Sequence, residues 1–373
     1  VRPRLLATGG FALVFLVLGV AGPAVHAQAA APRPVATSVT TAPGSTCAGT
    51  AADRKGASIA WSRMKNPIFG VAGAGAKDES LTLSRGRWHL LMSSPTGDPV
   101  HWRIASATSH DLVHWSKLDV WPSEGGVRDP SSPDVIQRPD GTYVVTYQAG
   151  PPAATAPAKL YYRTSRDLVH WTRQHELAWS LHPEPDARMI DGALAAVGSG
   201  LMLGYKSGST GADQAFEMAY SPSGSLDGPW TAIGRPDIEA YGGTIENYEF
   251  VDTDGQWRVL GSTNNLDRPW VADLVGPADQ PASWLHWTGG RELQIAEQAW
   301  DHGAGVTGVG YERANSSYLC DARAIDGHYY LLFAGSNELT EYGGWGHARV
   351  GIARSTDLTH WDLPTGTGGK RAR

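Results

Sequence analysis

The chain has 373 residues, 41% hydrophobic and 18% charged, with 31 Lys and Arg against 37 Asp and Glu for a net charge of −6. No basic stripe is available to neutralise phosphates, which excludes nucleic acid as a partner. The length allows one large all-β domain or two smaller ones, so periodicity has to decide.

The chain opens with Arg2 and Arg4, an apolar run over residues 11–20 and small residues ending Ala24-Val25-His26-Ala27. That order is the signature of a secretory signal peptide, placed at 1–27. The run is well short of the ~20 residues a membrane span needs, so a secreted, extracellular protein with no membrane contact after cleavage is expected. Residues 28–60 are rich in Ala, Pro, Thr and Ser, cannot build a core and read as an arm. Cys47 in that arm and Cys320 far downstream are the chain's two cysteines, and in an exported protein a disulfide between them is the default.

From residue 61 to 364 the chain repeats itself five times, and 365–373 read as a disordered tail. A phrase ending in Asp-Leu-x-His-Trp closes at Trp115, Trp171 and Trp361, with degenerate copies closing at Trp230 and Trp287. About thirty residues ahead of each tryptophan stands a turn glycine, Gly86, Gly141, Gly200, Gly255 or Gly327, followed by an alternating aromatic and aliphatic run. Period-2 patterning between turn residues means strands. Five units of four strands predict an all-β fold, a five-bladed β-propeller with four-stranded antiparallel blades around a central channel.

The strand before each turn glycine is expected to line the channel. Its acids are Asp78, Asp134, Asp191, Glu246 and Asp321. One acid can simply cap a turn, but five converging on one mouth repel each other and raise some of their pKa values, a cost tolerated where chemistry needs it. Glycoside hydrolysis needs two carboxyls, one protonated and one ionised.

These motifs resemble glycoside hydrolase family 43, whose first blade carries a general-base Asp in His-Asp-Pro-Ser-Ile. Here the matching stretch is Lys77-Asp78-Glu79-Ser80-Leu81. Ser132-Pro133-Asp134-Val135 is similar to the family's Ala-Pro-Asp-Ile, and Ile190-Asp191-Gly192 to its Ile-Asp-Pro. The general acid of the family lies nine residues before the next turn glycine, where Glu246 stands before Gly255. The resemblance implies inverting hydrolysis of an arabinoside-like or xyloside-like sugar, with Asp78 as base, Glu246 as acid and Asp191 tuning the acid. Glu249 is the rival acid, set by strand alternation on the opposite face from Glu246. Arg128-Asp129-Pro130 resembles a sugar-binding motif of the fructan families 32 and 68. That makes Arg128 and Asp129 candidate sugar binders, with Asp134, Glu249 and Asp321, and retaining fructan chemistry the alternative. A carbohydrate-binding propeller without catalysis is the alternative of another class. Sialidase propellers also repeat Ser-x-Asp, but their turn glycine and arginine array are absent. Many family 43 enzymes hold a central calcium through a His near the fifth blade's start. Residues 315–321 contain no His, so no cofactor is predicted, a channel calcium being the alternative. A carbohydrate substrate and a monomer are expected.

Overall fold

The computed structural model describes residues 47–97, 100–153, 155–208, 215–238, 245–263, 269–296, 298–301, 317–336 and 347–367, all within one compact unit, Thr41–Arg373. The predicted leader over 1–27, the arm over 28–46 and the last six residues of the tail lie outside the described residues.

Five antiparallel sheets follow one another along the chain. Blade 1 comprises β1 (Lys77–Ser84), β2 (Arg87–Ser93), β3 (Ile104–Ser109) and β4 (Asp119–Val120). Blade 2 comprises β5 (Arg128–Gln137), β6 (Tyr143–Gly150), β7 (Lys159–Ser165) and β8 (His175–Glu176). Blade 3 comprises β9 (Met189–Val197), β10 (Gly200–Ser207), β11 (Ala215–Ser221) and β12 (Thr231–Gly234). Blade 4 comprises β13 (Ile245–Thr253), β14 (Gln256–Thr263), β15 (Trp270–Asp273) and β16 (Arg291–Glu292). Blade 5 comprises β17 (Ser317–Asp321), β18 (Tyr329–Gly335) and β19 (Arg349–Ser355), three strands among the described residues where four were expected. The first strands touch in sequence, β1 to β5, β9, β13, β17 and back to β1, which closes the ring.

Glycine makes the tight turn between first and second strands possible. Gly86 has φ +75°, and a Cβ there would meet the Lys55 carbonyl oxygen at 2.5 Å, so a side chain is both strained and blocked. In blade 3 the turn falls on Gly198, φ +57°, and Gly200 already begins β10.

Alternation gives every blade two buried faces, and each seam between neighbouring blades holds its own apolar cluster. Leu91 and Ile104 of blade 1 meet Val135 and Val145 of blade 2. Ile136 and Val144 meet Leu201 and Leu203 of blade 3, while Met202 and Met218 on its other face meet Phe250 and Val259 of blade 4. Val251 and Leu260 meet Leu319 and Leu331 of blade 5. At the last seam Leu81 and Leu90 meet Leu332 and Ile352, with Cys47 of the arm and Met64 just after it among them.

The inner strands are not straight alternations. Registry slips at a matching place in each of blades 1 to 4: Lys77 faces Ser93 but Ser80 faces Leu91, and the same occurs between Ser131 and Asp134, Ile190 and Ala193, and Glu246 and Glu249, while β5 slips a second time between Arg128 and Ser131, around the left-handed Asp129. Each matching slip is a bulge with one extra residue, and each holds a left-handed residue, Asp78, Ser132, Asp191 or Asn247, with φ of 51–52°. Asp and Asn enter this region more readily than most side chains.

Beyond the bulge the blades are stitched by side chains. Ser80 Oγ accepts from the Val135 amide at 3.1 Å, Asp134 Oδ2 from the Leu194 amide at 3.3 Å, and Glu249 Oε2 from the Leu319 amide at 2.6 Å. Ser80, Asp134, Ala193, Glu249 and Tyr318 are therefore equivalent positions on successive inner strands.

Candidate active site

Bulges next to active sites re-aim side chains, and here four of them aim at one place. A cavity opens there, walled by Asp78 and Glu79 from β1, residues 132–134 from β5, Asp191 and Gly192 from β9, residues 247–249 from β13, and Tyr318 from β17. Every blade contributes.

Asp78 lies at the centre of a polar cluster. Lys77 Nζ is 3.2 Å from its Oδ1, and Ser132 donates to its Oδ2 at 3.3 Å. The same ammonium sits 5.6 Å from the centre of the Trp102 ring. Asp191 is buried on the next blade but one, its amide donating to Gln148 Oε1 at 2.7 Å. Burial, and then the charges of Glu246 and Asp78, push its carboxyl up to about 6 against the pull of Lys206 and Lys77. Glu246 stands one residue outside the cavity wall, with its side chain 24% exposed. Lys206 donates to its Oε1.

One step further into the channel, Asp134 and Glu249 are buried at equivalent positions. Desolvation lifts Asp134 to about 7 and Glu249 well above the usual carboxylate range, with the charges of Asp134 and Glu79 adding to it. Tyr318 closes the set and is likewise raised by burial, then by Glu249.

Three sequence expectations need correction. Glu249 is not on the opposite face from Glu246. Glu246 faces Ser262 and Glu249 faces Leu260, two positions apart on β14, so the extra residue in β13 returns both to the same face. Asp321 is not at the mouth. It ends β17 beside the turn, bonded to Arg323 at 2.7 Å, because the connection to β18 carries the helical turn α1 (Arg323–Asp326) and shifts the count from Gly327. The position of blade 5 equivalent to Asp78 precedes Ser317, outside the described residues. The five acids also do not occupy one equivalent site, since Asp134 lies beyond its bulge and Glu246 before its own, while Asp78 and Asp191 lie within theirs.

Arg128 and Asp129 are held at the rim. The Arg128 guanidinium donates to the carbonyls of Pro151, Ala153 and Ala156 at 2.9–3.1 Å. Asp129 accepts from the Trp102 amide at 3.1 Å and lies 3.4 Å from His101. Arg128 thus orders the loop over 151–156, and Asp129 the loop that presents Trp102.

Lys206, Glu79, Asn247 and Tyr318 belong to the site and escaped the sequence reading. Lys206 had a signal, a lone cation ending the apolar alternation of β10. Asp134 and Glu249 each give an oxygen to a backbone amide, and among the described residues no group of three His, Cys, Asp or Glu is placed to hold a metal. No helix among the described residues is long and apolar enough to cross a membrane.

No family model and no curated protein matches the chain in sequence. Solved structures do match in fold. A thermostable family-43 glycoside hydrolase superposes with a TM-score of 0.57 at 14% identity, over 83% of this chain and 99% of that one. An α-L-arabinofuranosidase from Lactobacillus brevis gives 0.55 at 12% identity, over 82% and 97%. An α-L-arabinofuranosidase from Podospora anserina, solved with cellotriose, gives 0.53 at 16% identity, over 79% and 96%. The fold of this chain is that of these five-bladed propellers.

Proposed function

We propose that the protein is an extracellular glycoside hydrolase that cleaves arabinofuranoside-like or xyloside-like linkages with inversion. The carrying observation is that bulges on three different blades turn Asp78, Asp191 and the segment of Glu246 toward one cavity. The arabinofuranosidase and xylosidase activities of solved structures with this fold supply the substrate class, and the Cys47–Cys320 disulfide fits an exported chain.

In this reading the Asp78 carboxylate takes a proton from water, whose oxygen attacks the anomeric carbon. Glu246 gives its proton to the glycosidic oxygen as the carbon–oxygen bond breaks on the opposite face. Asp191 lies electrostatically against Glu246 and keeps negative charge near it, which opposes early loss of that proton. Inversion needs the two carboxyls about 6.5–9.5 Å apart with water between them.

The test uses aryl α-L-arabinofuranosides, aryl β-xylosides and the corresponding polysaccharides. Wild type should release sugar, and Glu246→Gln, which keeps the shape and loses the proton, should lower kcat by about 10²–10⁴-fold. Proton NMR of the first-formed anomer should show inversion. A Glu246→Gln variant as active as wild type would remove the assignment.

A further inference from the structure

Lys206 breaks the repeat at one informative position. Registry makes Ser93 on β2, Gln148 on β6 and Lys206 on β10 equivalent, since they face Lys77, Ser131 and Ile190, the residues that precede each bulge. In blades 1 and 2 this side chain accepts a hydrogen bond from the next blade's bulge: Ser93 Oγ from the Ser132 amide and Gln148 Oε1 from the Asp191 amide, both at 2.7 Å. A lysine cannot accept. In blade 3 the stitch is replaced by a cation that reaches across to blade 4 and donates to Glu246 Oε1.

The substitution is costly on its own terms. Met202, Gly204 and Lys206 form one face of β10, the face that meets Phe250 of blade 4. Alternation calls for an apolar residue at 206, yet the side chain there is an ammonium only 1% exposed. A buried charge is tolerated only when paired. Its surroundings supply the pairing: Glu246 from β13 accepts from it, and Asp191 from β9, which also feels Asp78 and Lys77 of β1, feels its charge.

We propose that Lys206 is a positioning residue for the acid, holding one oxygen of the Glu246 carboxyl and stabilising the carboxylate that proton donation leaves behind. This rests on the assignment of Glu246 as acid. While the acid is loaded, the Lys206 ammonium donates to Oε1 and the proton sits on Oε2, aimed at the leaving oxygen. As the proton moves to that oxygen, negative charge spreads over both carboxyl oxygens and is met by an ammonium already in place. Such a fixed charge costs no reorganisation at the moment of reaction. Asp191 brings negative charge and Lys206 positive charge to the same carboxyl.

The experiment compares Lys206→Met, which continues the Met202 face, and Lys206→Arg, which keeps the charge, with wild type and Glu246→Gln. On aryl glycosides of graded leaving-group basicity, Lys206→Met should lose about 10²-fold in kcat for basic leaving groups, and only a few-fold for nitrophenolate. Its basic pH limb should move to higher pH, and Lys206→Arg should recover most of both. Apart from activity, the melting-point deficit of Lys206→Met should grow from pH 5 to pH 8 and be relieved in Lys206→Met/Glu246→Gln. A loss uniform across leaving groups with an unmoved pH profile, or a deficit independent of pH and of Glu246, would make Lys206 a packing residue and overturn the proposal. An inactive Glu246→Gln beside a wild-type-like Lys206→Met defeats this inference alone. An active Glu246→Gln defeats the reading beneath it and this inference together.

Discussion

Asp134 shows how one side chain can serve the ring at a cost that depends on pH. Its carboxyl joins blades 2 and 3 through the Leu194 amide, yet burial lifts it from 3.8 to about 7. Between those values the folded protein holds a proton that the unfolded chain releases. The stability contributed by this group therefore falls as pH rises from about 4 to 7, by an amount on the order of a few kcal/mol. Asp191, raised to about 6, has the same sign. His89, lowered to about 4 chiefly by burial, has the opposite sign over 4 to 6.5, because there the unfolded chain binds the extra proton. The difference between wild type and Asp134→Asn isolates the one group, since the amide keeps the acceptor for Leu194 and cannot ionise. Asp134→Asn should melt near wild type at pH 4 and clearly above it at pH 8. Equal differences at the two pH values would mean that Asp134 is ionised at both.

At the level of the element, the phrase Asp-Leu-x-His-Trp that exposed the repeats turns out to be a closed turn between third and fourth strands. In blade 2, Ser165 Oγ accepts from the amides of Asp167 at 3.1 Å and Leu168 at 2.9 Å. Asp167 accepts from the amides of Val169 and His170, and Leu168 is held at φ +60°. Blades 1 and 5 repeat it around Leu112 and Leu358. A leucine in the left-handed region needs such enforcement, so Ser165→Ala, which strips the acceptor from a buried amide, should cost about 1–3 kcal/mol in urea unfolding. A change under a few tenths would assign the turn to Asp167 alone. This turn was legible because its chemistry is written in residue types at fixed offsets. The bulges were not. Their left-handed residues are Asp78, Ser132, Asp191 and Asn247, followed by Glu79, Pro133, Gly192 and Tyr248, and no shared type announces an inserted residue. Alternation counted straight through β13 therefore put Glu249 on the wrong face, while the count back from Gly255 led to Glu246, one residue before its bulge. The longer connection of blade 5 spoiled the same count for Asp321.

For the whole molecule the weak point of a ring is the seam where the chain's two ends meet. The other four junctions are crossed by continuous chain, but blades 1 and 5 are joined only by contacts and by the Cys47–Cys320 disulfide. Those contacts are substantial: the Ala76 amide donates to Ala348 at 2.8 Å and the Ile68 amide to Val350 at 2.9 Å. Phe69 bridges to Val350 on the outer edge of β19, and Asn66 both accepts from and donates to the Ile352 backbone at 2.9 Å. The chain over 66–69 thus takes the edge that a fourth strand would occupy, and the fifth blade borrows its completion from the segment preceding the first. Cys47 pins the arm further back, where its carbonyl accepts from the Leu83 amide at 2.7 Å. With the cysteines 273 positions apart, the cross-link closes a loop nearly as long as the ring, and the chain-entropy model gives it about 5.6 kcal/mol. Because 66–69 and the seam's apolar cluster survive reduction, Cys47→Ala/Cys320→Ala should still fold as a propeller and keep its activity. It should melt lower, by an amount corresponding to about 2–5 kcal/mol, and hydrogen exchange should quicken first at the amides of Val350 and Ile352 while those of blade 3 stay protected. Uniform quickening in all five blades would show that the ring opens as one cooperative unit and that the seam is no weaker than the rest.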